Sequence, residues 1–153
     1  MEERAVPQNP PQGYPRITPY LYYRDVAAAV DFAVSAFGFT ERLRMKGPDG
    51  TVAHAEVDLD GGVVMMGNPG SDYRNPKQHG QRTELIYVYV DDVDGHLERA
   101  KNAGATIVSG LEDKVYGDRS YLAEDPEGHQ WNFAQHVRDV SAEEVQAAAT
   151  MGA

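Results

Sequence analysis

The sequence Tyr-Leu-Tyr-Tyr-Arg-Asp-Val at residues 20–26 recurs as Tyr-Val-Tyr-Val-Asp-Asp-Val at residues 87–93. An offset of 67 positions superimposes the two stretches. The same offset pairs Ala33 with Ala100, Gly50 with Gly117, Asp58 with Asp125 and Gly61 with Gly128. Because it holds from the first strand to the last turn, the sequence predicts a duplicated module.

Each copy has the pattern of a βαβββ module. Residues 17–23 are rich in β-branched and aromatic types, and Asp25 then caps a helix whose apolar face ends at Gly38. Further strands are predicted at 39–45, 51–59 and 63–66. In the second copy the strands are predicted at 85–90, 106–108, 120–124 and 130–135, with a helix at 92–103.

The segments around the modules differ in composition. Residues 1–15 are proline-rich and polar, which predicts a flexible N-terminal arm. The modules span 16–67 and 84–137 within a single domain, 16–137, and a polar stretch at 68–83 is predicted to link them. Ser141 opens a capping box, so the tail at 138–153 is expected to contain a helix.

Composition limits the class of protein. The chain has 153 residues, no cysteine and a net charge of -10, so it offers no disulfide or thiolate chemistry and no basic surface for nucleic acid or anionic membranes. We find no apolar run of membrane-spanning length and no signal-peptide pattern at Met1. We therefore expect a cytoplasmic protein without nucleic-acid or membrane partners.

Three motifs strengthen the fold prediction: Ala-Gly-Ala at 103–105, Tyr-Gly-Asp-Arg at 116–119 and Asp-Pro-Glu-Gly-His-Gln-Trp at 125–131. With the two modules, they resemble the vicinal oxygen chelate superfamily, which includes glyoxalase I, bleomycin resistance proteins and extradiol dioxygenases. The resemblance implies an α+β fold in which a curled eight-stranded mixed sheet forms a cup with the helices outside. It also implies a small-molecule ligand and a homodimer.

The resemblance also places the metal-ligand positions of metal-dependent relatives. In this sequence those positions correspond to Thr18, Met65, Leu85 and Asn132. A hydroxyl, a thioether, an aliphatic chain and a neutral amide bind divalent transition metals poorly. We therefore expect no metal and no other cofactor.

Strand alternation predicts which side chains line the cup. The predicted ligand-binding residues are Tyr20, Tyr22, Met65, Tyr87, Tyr89, Tyr121, Gln130 and Asn132. Among them, Tyr121 is included because the offset makes it the second-module counterpart of His54. Exposed phenol rings can stack on a ligand, although they can equally be packing residues of an amphipathic strand.

His54 and Glu56 are the predicted catalytic residues. They are two apart on one strand, so their backbones are about 6.5 Å apart and their side chains share a face. An imidazole and a carboxyl at that spacing can serve as acid and base, or can be a solvated pair on a half-exposed strand.

Two functions follow from the sequence. The first is a metal-independent binding protein of the bleomycin-resistance kind, which holds a cationic or planar small molecule. The alternative is a glyoxalase-type lyase or isomerase that acts on a small metabolite with His54 and Glu56 as acid and base.

Overall fold

The computed structural model describes residues 6–151. The chain is an α+β protein with the tandem order that the sequence predicts. The first module contains β1 (Tyr20–Tyr22), α1 (Val26–Phe37), β2 (Thr40–Lys46), β3 (Val52–Leu59) and β4 (Gly62–Gly67). After α2 (Pro76–His79), the second contains β5 (Leu85–Tyr89), α3 (Val93–Asn102), β6 (Thr106–Asp113), β7 (Asp118–Glu124) and β8 (Gln130–His136). A tail helix, α4 (Ala142–Thr150), follows.

The strands form two four-stranded mixed sheets, with the orders β1-β4-β3-β2 and β5-β8-β7-β6. In each sheet the first strand runs parallel to the fourth, and the other neighbours are antiparallel. The tandem-module prediction is therefore confirmed. The predicted eight strands are distributed over two sheets, and within residues 6–151 no ladder joins one sheet to the other.

The described residues divide into two compact units, which we call the first unit (residues 6–34 and 38–73) and the second unit (35–37 and 74–151). The core of the first unit contains Leu21, Tyr23, Val26, Val30, Ala55, Val57, Val64 and Met66. The core of the second contains Phe37, Val93, Ala100, Tyr121, Ala123, Trp131 and Phe133. In each unit these core side chains lie on one face of the sheet. The polar candidate residues outside this core lie on the opposite face.

Local sequence explains where the helices begin. The Asp25 carboxylate accepts the Ala28 N–H at 3.0 Å, and Asp92 accepts the Gly95 N–H at 3.1 Å. Both satisfy a backbone donor that a helix start leaves unpaired. Asn75 and Gln78 form a capping box on α2 inside the predicted linker, where the sequence predicted no helix.

The described structure stops short of both ends of the chain. Residues 1–5 of the predicted arm and 152–153 of the predicted tail lie outside the described residues. The start of α4 is capped by Ser141, which accepts the Glu144 N–H. Within residues 6–151, no helix has both the length and the apolar character needed to cross a membrane.

Candidate functional site

In the first unit, Glu56 is the centre of a chain of four polar side chains. Its carboxylate accepts hydrogen bonds from the Tyr14 hydroxyl and from His54 Nε2, the latter at 2.9 Å. The other ring nitrogen of the imidazole, Nδ1, lies 3.0 Å from the Tyr20 hydroxyl. The structure therefore brings together His54, Glu56 and Tyr20 of the predicted residues.

Burial and hydrogen bonding set the charge of this chain. Glu56 is only 5% exposed. Burial acts to raise the pKa of its carboxyl, but the hydrogen bonds from His54 and Tyr14 outweigh burial, and the pKa lies below its usual value. An ionised carboxylate only accepts, so His54 Nε2 carries a hydrogen and donates it to Glu56; in the tautomer with its one hydrogen on Nε2, Nδ1 is the acceptor for the Tyr20 hydroxyl.

A glycine lets the Tyr20 ring reach His54. The two residues lie on β1 and β3, which are separated by β4, and Gly67 of β4 is the direct neighbour of His54. A Cβ at Gly67 would lie 2.2 Å from the Tyr20 hydroxyl oxygen. The missing side chain is therefore a steric requirement for the Tyr20–His54 hydrogen bond.

The end of the predicted flexible arm is in contact with this chain. Besides the Tyr14–Glu56 hydrogen bond, the Arg42 guanidinium lies over the Tyr14 ring at 4.3 Å and donates to the Gly13 carbonyl at 2.7 Å. These contacts tie Gly13 and Tyr14 to the first unit. Nothing in the proline-rich local pattern signalled them, because the partners of Tyr14 lie 28 and 42 positions away.

Tyr22 borders a cavity of about 550 Å³ on the first unit. The cavity is lined by Tyr22, Pro69, Gly70, Ser71, Asp72 and Tyr73. The Tyr22 and Tyr73 rings meet edge to face at 5.9 Å, and the Tyr73 hydroxyl donates to the Tyr22 carbonyl at 2.9 Å. Asn68 also accepts the Gly70 N–H, so hydrogen bonds preorganise the lining loop, which the sequence had assigned only to a linker.

In the second unit, Asp118 organises the exposed tyrosines. Its Oδ2 accepts the Tyr87 hydroxyl at 2.6 Å and the Tyr89 hydroxyl at 2.9 Å, while Oδ1 lies 2.7 Å from His136 Nδ1. The other nitrogen of His136 is 2.7 Å from Asp139. The predicted site residues do not include Asp118 and His136, although both lie on the same alternating face as Tyr87 and Tyr89.

The remaining predicted residues take different positions. Met65 is the direct neighbour of Tyr20 and Glu56, and Asn132 is the direct neighbour of Tyr87, so both share a face with the tyrosines. Gln130 donates to Glu124 at 3.3 Å. Nδ2 of Asn132 is buried without a hydrogen-bond partner among the described residues.

Tyr121 does not share the face that the sequence predicted for it. Glu56 lies opposite Met65, whereas Leu122 lies opposite Asn132, so the offset is 66 on the third strand and 67 on the fourth. Ten positions separate the paired residues Leu122 and Asn132 but nine separate Glu56 and Met65, so the second hairpin has one more residue between equivalent strand positions, and a shift of one residue reverses the face of a strand. The second-module counterpart of His54 is therefore Ser120.

Consequently, Tyr121 is a core residue at 1% exposure. Its hydroxyl bonds His96 Nδ1, and His96 Nε2 lies 2.8 Å from the Phe37 carbonyl. Burial lowers the pKa of His96, so the neutral ring donates through Nε2 and accepts through Nδ1. Tyr121 is not part of the proposed ligand face.

The hydrogen bonds of Asp118 predict a pH dependence. Asp118 and then Asp139 raise the pKa of His136. Burial opposes ionisation of Asp118, but Tyr87, His136 and Tyr89 outweigh it and lower its pKa. The stabilisation by His136 is complete below its unfolded pKa of about 6.5 and is lost as pH rises through the higher folded value. That by Asp118 is present above about 3.9 and is lost on acidification.

We expect wild type to be more stable than His136→Gln between about pH 4 and 6.5, and the difference to vanish on alkaline titration. Urea unfolding of both proteins at acidic and alkaline pH measures this. The control is His79→Gln, at a ring that accepts the Gln81 backbone N–H. A difference between wild type and His136→Gln that grows with pH would contradict the assignment.

The positions of the metal ligands in relatives do not provide a suitable donor set here. Met65 and Leu85 lack a hard or nitrogen donor, Asn132 is a neutral amide, and the Thr18 hydroxyl is directed to the Pro15 carbonyl. Over residues 6–151, His, Asp and Glu side chains nowhere gather in a group of three that could hold an ion. The donor chemistry at these four positions therefore does not fit a divalent transition metal.

Comparison with known proteins defines the family. The model of the Glyoxalase/Bleomycin resistance protein/Dioxygenase superfamily matches residues 14–133. The chain therefore belongs to this superfamily, as the resemblance of its motifs indicated.

Individual relatives agree with this assignment. The uncharacterized protein Rv0887c of Mycobacterium tuberculosis (strain ATCC 25618 / H37Rv) is 41% identical over 139 residues, 88% of this chain and 82% of the relative. The crystal structure of TioX from Micromonospora sp. ML1 is 41% identical, with a TM-score of 0.66 over 79% of this chain and 98% of TioX. FosX, a fosfomycin resistance protein from Listeria monocytogenes, is 17% identical with a TM-score of 0.58 over 84% and 95% of the chains, and shares the fold.

Proposed function

We propose that this chain binds a planar or cationic small molecule, without the metal site of its metal-dependent relatives. The observation that carries the proposal is the cavity of about 550 Å³ beside Tyr22. Its size lies within the range of about 300–1,000 Å³ typical of ligand sites. Two phenol rings and the Asp72 carboxylate line it, which suits a ring system or a cation that can stack on aromatic faces.

Charge and exposure support the same ligand class. The net charge of -10 attracts cations and repels anions. Tyr22 is 51% exposed and Tyr89 60%, so both rings have free surface to contribute. We extend the proposal to the exposed rings of the second unit, Tyr87 and Tyr89, and to Gln130 and Asn132 beside them.

Calorimetric titration with N-methylacridinium, a planar cation, tests the proposal, and uncharged acridine measures the contribution of charge. We expect Tyr22→Ala and Tyr89→Ala each to weaken binding by about 1–3 kcal/mol through lost aromatic area. His54→Ala should change the affinity far less. Unaltered affinity in both tyrosine variants, with both proteins folded by circular dichroism, would contradict the proposed binding faces.

A second candidate function is an acid–base enzyme of the glyoxalase kind. The hydrogen-bonded chain from Glu56 through His54 to Tyr20 favours it, because a buried carboxylate that orients an imidazole is an arrangement suited to proton transfer. In that case His54→Ala should lower turnover by about 10² or more and leave ligand affinity nearly unchanged. This pattern separates the enzyme from the binding protein.

We further propose that the chain forms a homodimer in the cytoplasm. Within residues 6–151, the edge strands β1, β2, β5 and β6 each have a strand neighbour on one side only. Open sheet edges commonly pair with or are covered by another chain. Light scattering of the full chain at micromolar concentration should give twice the 16.8 kDa mass, and a monomer would contradict the proposal.

A further inference from the structure

The catalytic residues expected from the sequence are not the groups that the first unit exposes. Both Glu56 oxygens are engaged, one by Tyr14 and one by His54. Both His54 nitrogens are engaged as well, by Glu56 and by Tyr20. The chain of hydrogen bonds ends at the Tyr20 hydroxyl, on a side chain that is 48% exposed.

The direction of the hydrogen bonds gives that hydroxyl a specific character. In the His54 tautomer with its hydrogen on Nε2, the Tyr20 hydroxyl donates to Nδ1, and the phenol oxygen keeps lone pairs for a second partner. If the proton moves to Nδ1, the resulting imidazolium retains its hydrogen bond to the Glu56 carboxylate. A charge on the imidazole is thus compensated by a carboxylate that is already ionised.

We propose that Tyr20 is the catalytic residue of this unit, an activated phenol that exchanges a proton with a weakly acidic O–H or N–H group of the bound small molecule. His54 and Glu56 are positioning residues that act through it. The ligand proton passes to the Tyr20 oxygen while the Tyr20 proton passes to His54 Nδ1, and the reverse transfer restores both. This inference rests on the second candidate function, since a pure binding protein does not need the transfer.

The missing side chain at Gly67 is a steric requirement of the same chain of hydrogen bonds. The Tyr20 hydroxyl oxygen and two of its ring atoms would lie within 2.9 Å of a Cβ at that position. Gly67→Ala therefore displaces the Tyr20 ring from His54 without altering any acid or base. The variant therefore tests the geometry of this chain of hydrogen bonds while Tyr20, His54 and Glu56 all remain present.

The neighbouring Tyr22 supplies an internal control. It lies on the same strand and face as Tyr20, has a similar exposure of 51%, and meets the Tyr20 ring edge to face at 5.8 Å. The two phenols thus present similar areas to a reagent, and the Tyr20 hydroxyl lies 3.0 Å from His54 Nδ1.

Acetylation by N-acetylimidazole, followed by peptide mass spectrometry, tests the proposal on the intact protein at one neutral pH. The Tyr20 oxygen forms a bond to the acetyl carbon, the acetyl–nitrogen bond breaks, and the phenol proton passes through His54 to the departing imidazole. We expect Tyr20 to react at least about tenfold faster than Tyr22, as general base catalysis typically gives even larger factors. His54→Ala and Gly67→Ala should each bring the Tyr20 rate down to the Tyr22 rate.

A merely structural hydrogen bond predicts the opposite signs. It would protect the hydroxyl, so Tyr20 would react more slowly than Tyr22 and His54→Ala would accelerate it. That result, or equal rates in wild type, overturns the proposal. The reagent needs no natural substrate, so the acetylation test is independent of turnover. Fast Tyr20 acetylation without any turnover would contradict the enzyme function and would still support the activated phenol.

Discussion

Phe133→Ala is expected to lower the free energy of unfolding by about 3–5 kcal/mol, the usual cost of emptying a buried phenylalanine site. Phe133 is fully buried on β8. Its ring centroid lies 4.7 Å from that of Phe37, 4.2 Å from that of His96 and 5.5 Å from that of Tyr121. Rigid aromatic neighbours on several sides cannot collapse into the vacated space, so both transfer energy and packing contacts are lost.

Urea unfolding followed by the fluorescence of Trp131, the single tryptophan, measures the loss within the same unit. Phe133→Leu is the control, because it keeps an apolar side chain and should cost about 1–2 kcal/mol. An alanine variant as stable as the leucine variant would show that the cluster does not hold its shape around Phe133.

Gly117→Ala is expected to destabilise the protein by about 4 kcal/mol or more. Gly117 has a φ of 101°, which side chains rarely adopt, and an added Cβ would lie 2.0 Å from the Arg138 carbonyl oxygen. The Gly117 carbonyl accepts the Val137 and Arg138 N–H groups, so the close approach is fixed by hydrogen bonds. Relief of the clash therefore requires breaking that connection.

The internal repeat provides a matched control in Gly50→Ala. Gly50 occupies the corresponding turn, has a φ of 84°, and donates its N–H to Gly47 at 3.0 Å just as Gly117 donates to Lys114. No atom lies within 4 Å of a Cβ placed there. Gly50→Ala should lower the free energy of unfolding by about 1–2 kcal/mol, because alanine must then adopt the left-handed conformation. Urea unfolding followed by circular dichroism measures this loss for both variants. Equal losses would mean that the loop at Arg138 yields to the clash.

Local sequence was sufficient for the order of the elements. The stretches 20–26 and 87–93 carry both a strand pattern and an aspartate that caps the next helix, and each signal acts over a few residues. Strand alternation likewise placed His54 and Glu56 side by side, because neighbours two apart on a strand always share a face. These features depend on the backbone geometry of single elements.

The polar partners of the sites depended on the fold instead. Tyr14 reaches Glu56 across 42 positions, and Tyr87 reaches Asp118 across 31. A short segment gives no indication of such a partner, because the two residues meet only when their strands take their places in the folded sheet. The same reason hid the role of Gly67, which looks like a strand end until Tyr20 crosses it.

The sequence by itself determined a duplicated βαβββ fold, the starts of α1 and α3 and the chemical character of its tyrosine-rich strands. Only the tertiary structure decided that Tyr121 belongs to the core and that Ser120, itself buried, lies on the sheet face of Tyr87 and Tyr89. One extra residue between equivalent strand positions of the second hairpin shifts β7 by one position relative to β3. Because side chains alternate with a period of two, that single residue reverses every side chain of the strand, and only the pairing register reveals it.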